Sequence, residues 1–145
     1  MPTRRSSARW EGGLKGGKGT FKGEGGSIGG QYNFSSRFES GVGSNPEELL
    51  AAAEAACFSM ALAGDLEKNG TPPTSVDTEA ACTVSPNPGG GFSIKSIALD
   101  VTAVVPGIDD AKFQEIASGT VQNCPVSKAF HGNVELSVNA KLKAQ

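Results

Sequence analysis

The longest uninterrupted pattern in the chain runs from Pro46 to about Asn69, where alanine and leucine dominate and no interior proline occurs. This pattern predicts one long helix. Asn45 can cap it, Pro46 suits the first helical position, and Glu48 stands three residues after the cap as in a capping box. Gly70 followed by Pro72-Pro73 stops it. Leu49, Ala53, Ala56, Met60 and Ala63 make one apolar line along it, and Leu50, Cys57, Ala61 and Gly64 make another. A helix apolar around so much of its circumference is expected to be central. Its small side chains would let a second helix approach closely.

Elsewhere the period is two. Tyr32, Phe34 and Ser36 alternate with Asn33, Ser35 and Arg37, which predicts a strand ending at Glu39-Ser40-Gly41. Val76, Ala80, Cys82 and Val84 share one face, with Asp77, Glu79 and Thr83 on the other. Leu99, Val101, Ala103 and Val105 alternate in the next strand; Phe92 and Ile94 fall out of phase with them, which predicts a bulge near Ser96. Asp109 opens a helix containing Phe113, Ile116 and Ala117, Cys124-Pro125 restarts a short one, and Val134 to Leu142 forms the last strand. Ten of the 20 glycines lie between Gly12 and Gly30, interleaved with Leu14, Phe21 and Ile28. The pairs Gly12-Gly13, Gly16-Gly17 and Gly25-Gly26 mark the turns of a small β meander. The expected class is α+β, antiparallel sheets around central helices, in a single domain over residues 1–145.

Composition narrows the function. A net charge of −2 and a pI near 5.4 carry no basic footprint for nucleic acid. No run of about 18 consecutive apolar residues is present, so a membrane span is not expected. The basic start, MPTRRSSARWEGG, lacks the apolar region of a secretory signal. Three cysteines, an odd number, do not suggest a disulfide framework, and a reducing cytoplasm is expected. They are 25 and 42 residues apart and His131 is the sole histidine, so no zinc-ligand spacing appears.

The cysteines occupy unlike settings. Cys57 lies within AAAEAACFSMALA among small apolar neighbours, and Glu54, three residues before it, disfavours a second negative charge nearby. Cys124 precedes Pro125 at a helix start, where unpaired N–H groups and the helix dipole favour a thiolate. One deep thiol and one at a helix mouth suit attack and resolution in redox chemistry on a hydrophobic oxidant. Each also reads as ordinary packing or, for Cys124, as a structural neighbour of a cap made by Asn123. Cys82, on the apolar face of a strand, reads as packing. Arg37 is the candidate cation for Cys57, held by Glu47. Glu47 and Cys57 are ten positions apart, about 15 Å along one helix, so an antiparallel second copy of the helix is one way to supply Glu47 from another chain.

SRFESG, GSNPEELLAAAEAACFSMAL and NCPVSKAF together resemble the OsmC/Ohr family of organic hydroperoxide reductases, the OsmC branch in particular. The resemblance extends over most of the chain. It implies an intertwined homodimer with two long central helices per chain, and thiol-dependent reduction of organic hydroperoxides, with hydrogen peroxide a poorer substrate, in oxidative or osmotic stress defence. By motif, Cys57 would be the peroxidatic cysteine, Cys124 the resolving cysteine, and Arg37 with Glu47 the activating pair. Glu54 departs from the histidine that relatives often carry before the cysteine. The implied cycle needs no cofactor, only a thiol or dithiol reductant such as a lipoyl protein. Phe34, Phe38, Phe58 and Met60 are candidates for an apolar substrate entrance, and equally for core packing. A non-catalytic stress-induced ligand-binding or redox-sensing protein is the competing reading.

Overall fold

The computed structural model describes residues 1–144; Gln145, the end of the expected domain, lies outside the described residues. The chain forms two compact units, Met1–Leu49 and the part from Leu50 onward. Among the described residues each contains one three-stranded sheet.

In the first unit, β1 (Ser6–Glu11), β2 (Lys18–Gly23) and β3 (Gly29–Tyr32) form the antiparallel meander expected from the glycine pattern. Gly12 takes φ +92° just after β1, and Gly26 takes φ +75° in the β2–β3 turn. Gly17 is needed for space: a Cβ there would lie 2.3 Å from the carbonyl oxygen of Gly13. Tyr32 packs its ring against Trp10 and Phe21, with centroids 5.4 and 6.0 Å away.

The segment QYNFSSRF is not one strand. β3 stops at Tyr32 and a short helix, α1 (Phe34–Phe38), begins. The cause is local. Asn33 Oδ1 accepts from the Ser36 N–H at 2.8 Å while Ser36 Oγ accepts from the Asn33 N–H at 2.9 Å, a reciprocal capping box that turns the backbone into a helix. The apolar alternation that suggested a strand coincided with this box. Ser36 Oγ also donates to the Ser44 carbonyl, and Asn45 Nδ2 donates to the Ser36 carbonyl. These bonds tie α1 to the start of the next helix.

That helix, α2 (Pro46–Lys68), has the expected length. Asn45 Oδ1 accepts from the Glu48 N–H at 2.8 Å, but the Glu48 carboxylate bonds the Ser44 hydroxyl rather than closing a box on Asn45. Gly70, at φ +83°, follows its end. The buried stripe differs from both predicted lines: it is Glu54, Phe58, Leu62 and Leu66, spaced by four. The bulkiest side chains win the inward positions because they have the most apolar area to remove from water. Ala52, Ala53 and Ala56 are exposed and Met60 is 78% exposed, so within one chain α2 is not enclosed on all sides. By length and composition alone α2 is also long and apolar enough to cross a membrane, which is weak evidence for a span. Mixed alanine and leucine reach that threshold without any unbroken apolar run, and a core helix passes the same test.

The second unit adds β4 (Ser75–Pro86), β5 (Phe92–Val104), α3 (Asp110–Asn123), α4 (Pro125–Phe130) and β6 (Glu135–Leu142). β4 and β5 are antiparallel. Their register shifts between Thr83 and Val84, whose partners step from Ser96 to Ile94, at the expected bulge. β6 runs parallel to β5, so this sheet is mixed rather than antiparallel throughout. The two strands are joined through α3 and α4, and a crossover of that length delivers the chain to a parallel start. The α+β class stands.

Phe58, Leu62 and Leu66 of α2 join Ile97, Leu99, Val101 and Ala103 of β5 and Phe113, Ala117 and Val121 of α3 in one core. Phe113 is fully buried at its centre. Phe113→Ala is expected to lower the unfolding free energy by about 3–5 kcal/mol, from lost transfer energy and the cavity left behind. Urea unfolding followed by circular dichroism checks this, and a loss below about 1 kcal/mol would show that the site collapses freely.

Candidate functional site

Two constellations contain the residues singled out from the sequence, one in each unit. In the first, Arg37 closes the last turn of α1 and Glu47 opens α2. Arg37 Nη2 donates to Glu47 Oε1 at 2.8 Å, and Nε donates to both carboxylate oxygens at 3.2 and 3.3 Å. This side-on fork fixes the guanidinium plane, which also lies 5.0 Å over the Phe38 ring. Glu47 is nearly buried while the Arg37 side chain is 38% exposed. The pair forms within one chain, so Glu47 need not come from a second copy to hold Arg37.

The expected apolar entrance residues scatter. Phe34 and Phe38 pack together with centroids 5.1 Å apart on α1. Phe58 is enclosed in the core of the second unit, and Met60 stands exposed. The apolar hollow of the first unit, about 130 Å³, is lined by Ala8, Phe21, Tyr32, Asn45, Pro46 and Leu49 instead.

In the second unit the cysteine pair meets. Cys57 and Cys124, 67 positions apart, place their sulfurs 2.7 Å from each other. Cys124 occupies the junction of two helices. Its N–H bonds the Thr120 carbonyl to end α3, and Pro125 then starts α4. The helix-start reading of Cys124 therefore holds for the backbone. The Val126 N–H in the first turn of α4 acts on Cys57. Cys82 lies on β4 in contact with the apolar core.

Burial pushes the Cys57 thiol above its ordinary range. The neighbouring Cys124 thiol acts in the same direction, the Val126 N–H opposes them, and the charge of Glu54 adds a further upward push. The expected sign of the Glu54 effect is thus present, and burial is the larger cause. A reactive thiolate at Cys57 requires a cation to overcome them.

One partner was missed in the sequence. Ser127, fully buried, donates its hydroxyl to Glu54 Oε1. The available signal was spacing: Ser127 lies three residues after Cys124 and Glu54 three before Cys57.

The OsmC-like protein family model matches residues 39–139, a span that contains Cys57, Cys82, Cys124 and Glu47. The chain belongs to the OsmC/Ohr family. It is 43% identical over 139 residues to the peroxiredoxin OsmC of Escherichia coli, covering 95% of this chain and 96% of that protein. It is 36% identical over 108 residues to the organic hydroperoxide resistance protein OhrB of Bacillus subtilis, covering 71% and 74%. The crystal structure of Bacillus subtilis OhrB superposes with a TM-score of 0.77 at 28% identity, covering 96% of this chain and 98% of that one. In this OsmC-family chain, a mild thiol oxidant such as diamide is expected to remove two thiols and link Cys57 to Cys124. Peptide mapping checks the pairing; a linkage involving Cys82 would contradict the geometry.

Proposed function

We propose that this chain is a cysteine-based peroxidase that reduces organic hydroperoxides, and hydrogen peroxide less well, in oxidative or osmotic stress defence. The contact between Cys57 and Cys124, in a family with members named peroxiredoxin and organic hydroperoxide resistance protein, supports this reading most directly. The Cys57 thiolate attacks one peroxide oxygen. The O–O bond breaks, and the departing alkoxide takes a proton to leave as an alcohol. The resulting sulfenic acid condenses with the Cys124 thiol, forming the disulfide and releasing water. An external thiol or dithiol, with a lipoyl protein as one candidate, restores both cysteines by exchange. A cytoplasmic location goes with this cycle because regeneration needs a reducing compartment.

In this proposal Arg37, oriented by Glu47, supplies the charge that stabilises the Cys57 thiolate, and Phe34, Phe38 and Met60 contribute apolar surface for the substrate. Phe58 would act only from within the core. The chain is one OsmC-like domain in this reading, which the alignment to a single relative over 139 residues supports. The working form is a homodimer, a state supported by the exposed face of Ala52, Ala53, Ala56 and Met60 on an otherwise apolar helix. A non-catalytic stress-induced ligand-binding or redox-sensing protein is the second reading, since two adjacent sulfurs can also close a disulfide without turnover.

Cys57→Ser is expected to abolish consumption of cumene hydroperoxide, and Cys124→Ser to permit one oxidation of Cys57 without sustained turnover. Steady-state assays with a dithiol donor check both; undiminished turnover in either variant removes that cysteine from the cycle. Arg37→Ala is expected to slow peroxide attack at neutral pH at least about tenfold, since a pKa change of one unit alters the thiolate fraction by that factor. It should also move the half-point of Cys57 alkylation to higher pH, because the upward causes would no longer be opposed by a cation. An unchanged pH profile would exclude Arg37 as the activating charge.

A further inference from the structure

Glu54 is fully buried, and its second oxygen, Oε2, has no hydrogen-bond partner among the described residues. Burying a carboxylate with one oxygen unpaired is unfavourable, and such a group usually persists because something depends on it. Its bonded oxygen, Oε1, receives the Ser127 hydroxyl, and Ser127 is fully buried as well.

The placement of this bond is informative. Glu54 and Cys57 are three residues apart on α2, about 4.5 Å of helical rise. Cys124 and Ser127 are also three residues apart, across the start of α4. Two cross-links therefore join the same pair of short segments in register, Glu54 to Ser127 and Cys57 to Cys124. Between them, the Val126 N–H reaches Cys57. α4 has only six residues and no side-chain bond at its N-cap, so its first turn is not held by its own capping. The Ser127–Glu54 bond anchors that turn through a side chain, and it attaches to the helix that carries Cys57.

We propose that Glu54 is a positioning residue for the thiol–disulfide step: by accepting from Ser127 it clamps the first turn of α4 onto α2 and keeps Cys124 within bonding reach of Cys57. This deepens the peroxidase reading but depends only on the two cysteines forming a disulfide. The charge of Glu54 has a second consequence. It opposes a thiolate at Cys57 and does not oppose the neutral disulfide, so it also bears on the pH at which Cys57 ionises.

The test measures disulfide closure without peroxide. Reduced protein is equilibrated with glutathione disulfide. Two electrons pass from the protein thiols to each glutathione disulfide, the Cys57–Cys124 bond forms, and the two thiol protons end on two molecules of glutathione. The equilibrium gives the effective concentration of one protein thiol at the other, which reports their positioning. Glu54→Ala and Ser127→Ala are expected to lower it about tenfold or more, a magnitude in keeping with small misplacements of reacting groups. Glu54→Gln keeps an acceptor for Ser127 and should remain within about threefold of the parent. Its Cys57 alkylation profile should move to lower pH, a change that packing alone would not produce.

Circular dichroism establishes that each variant is folded. If Glu54→Ala unfolds, the nearly isosteric Ser127→Ala decides the matter. Native effective concentration in folded Ser127→Ala, or an unshifted pH profile in Glu54→Gln, would overturn the proposal. A parent chain that closes the disulfide but consumes no hydroperoxide would sink the peroxidase reading, and the variant comparison would still decide the role of Glu54.

Discussion

Cys124 ends α3 and begins α4, and its backbone N–H is already committed to Thr120. A cysteine side chain has a single rotatable χ1, so from that junction its sulfur can visit only a few positions. The approach to Cys57 therefore depends on how the α3–α4 corner packs on α2. That packing has an apolar part, in which Phe58 and Leu62 share a core with Phe113, Ala117 and Val121, and a polar part, the buried Ser127–Glu54 bond. The first brings the helices together. The second, being directional, sets their register.

The surroundings of Cys57 favour the protonated thiol, although the fold brings its partner sulfur to it. Burial that excludes water from a sulfur also removes solvation from its anion. A single Val126 N–H opposes this, and Glu54 adds to it. The chain has thus brought the partner sulfur close in surroundings that disfavour ionisation of Cys57. The bonds from Glu47 to Arg37 do the comparable work in the first unit: they orient a cation whose side chain remains partly exposed. One constellation holds two sulfurs together, and the other holds a partly exposed charge in a fixed orientation.

The same helix shows why binary patterning misled in places. In the sequence Glu54 is a charge unfavourable to a Cys57 thiolate; in the fold it is also the buried acceptor for Ser127, on the same stripe as Phe58, Leu62 and Leu66. A carboxylate enters such a stripe only when a donor from another element meets it, and no periodicity within α2 can announce a donor 73 residues away. Likewise, the alternation through Tyr32, Phe34 and Ser36 looked like a strand until the Asn33–Ser36 box took precedence.

The sequence alone determined what neighbours within about four residues can settle: the caps and stop of α2, the turns of the glycine meander, the alternation of β4 and β5, and the Pro125 restart after Cys124. It also carried the family resemblance, because its motifs are contiguous strings. The tertiary structure decided which stripe of α2 turns inward, that β6 lies parallel to β5, that Arg37 and Glu47 pair within one chain, and that two sulfurs 67 positions apart touch. The reason is range. Capping and side-chain periodicity act over one helical turn or one pleat, whereas the meeting of distant groups depends on the whole chain path and on which bulky side chains claim the core.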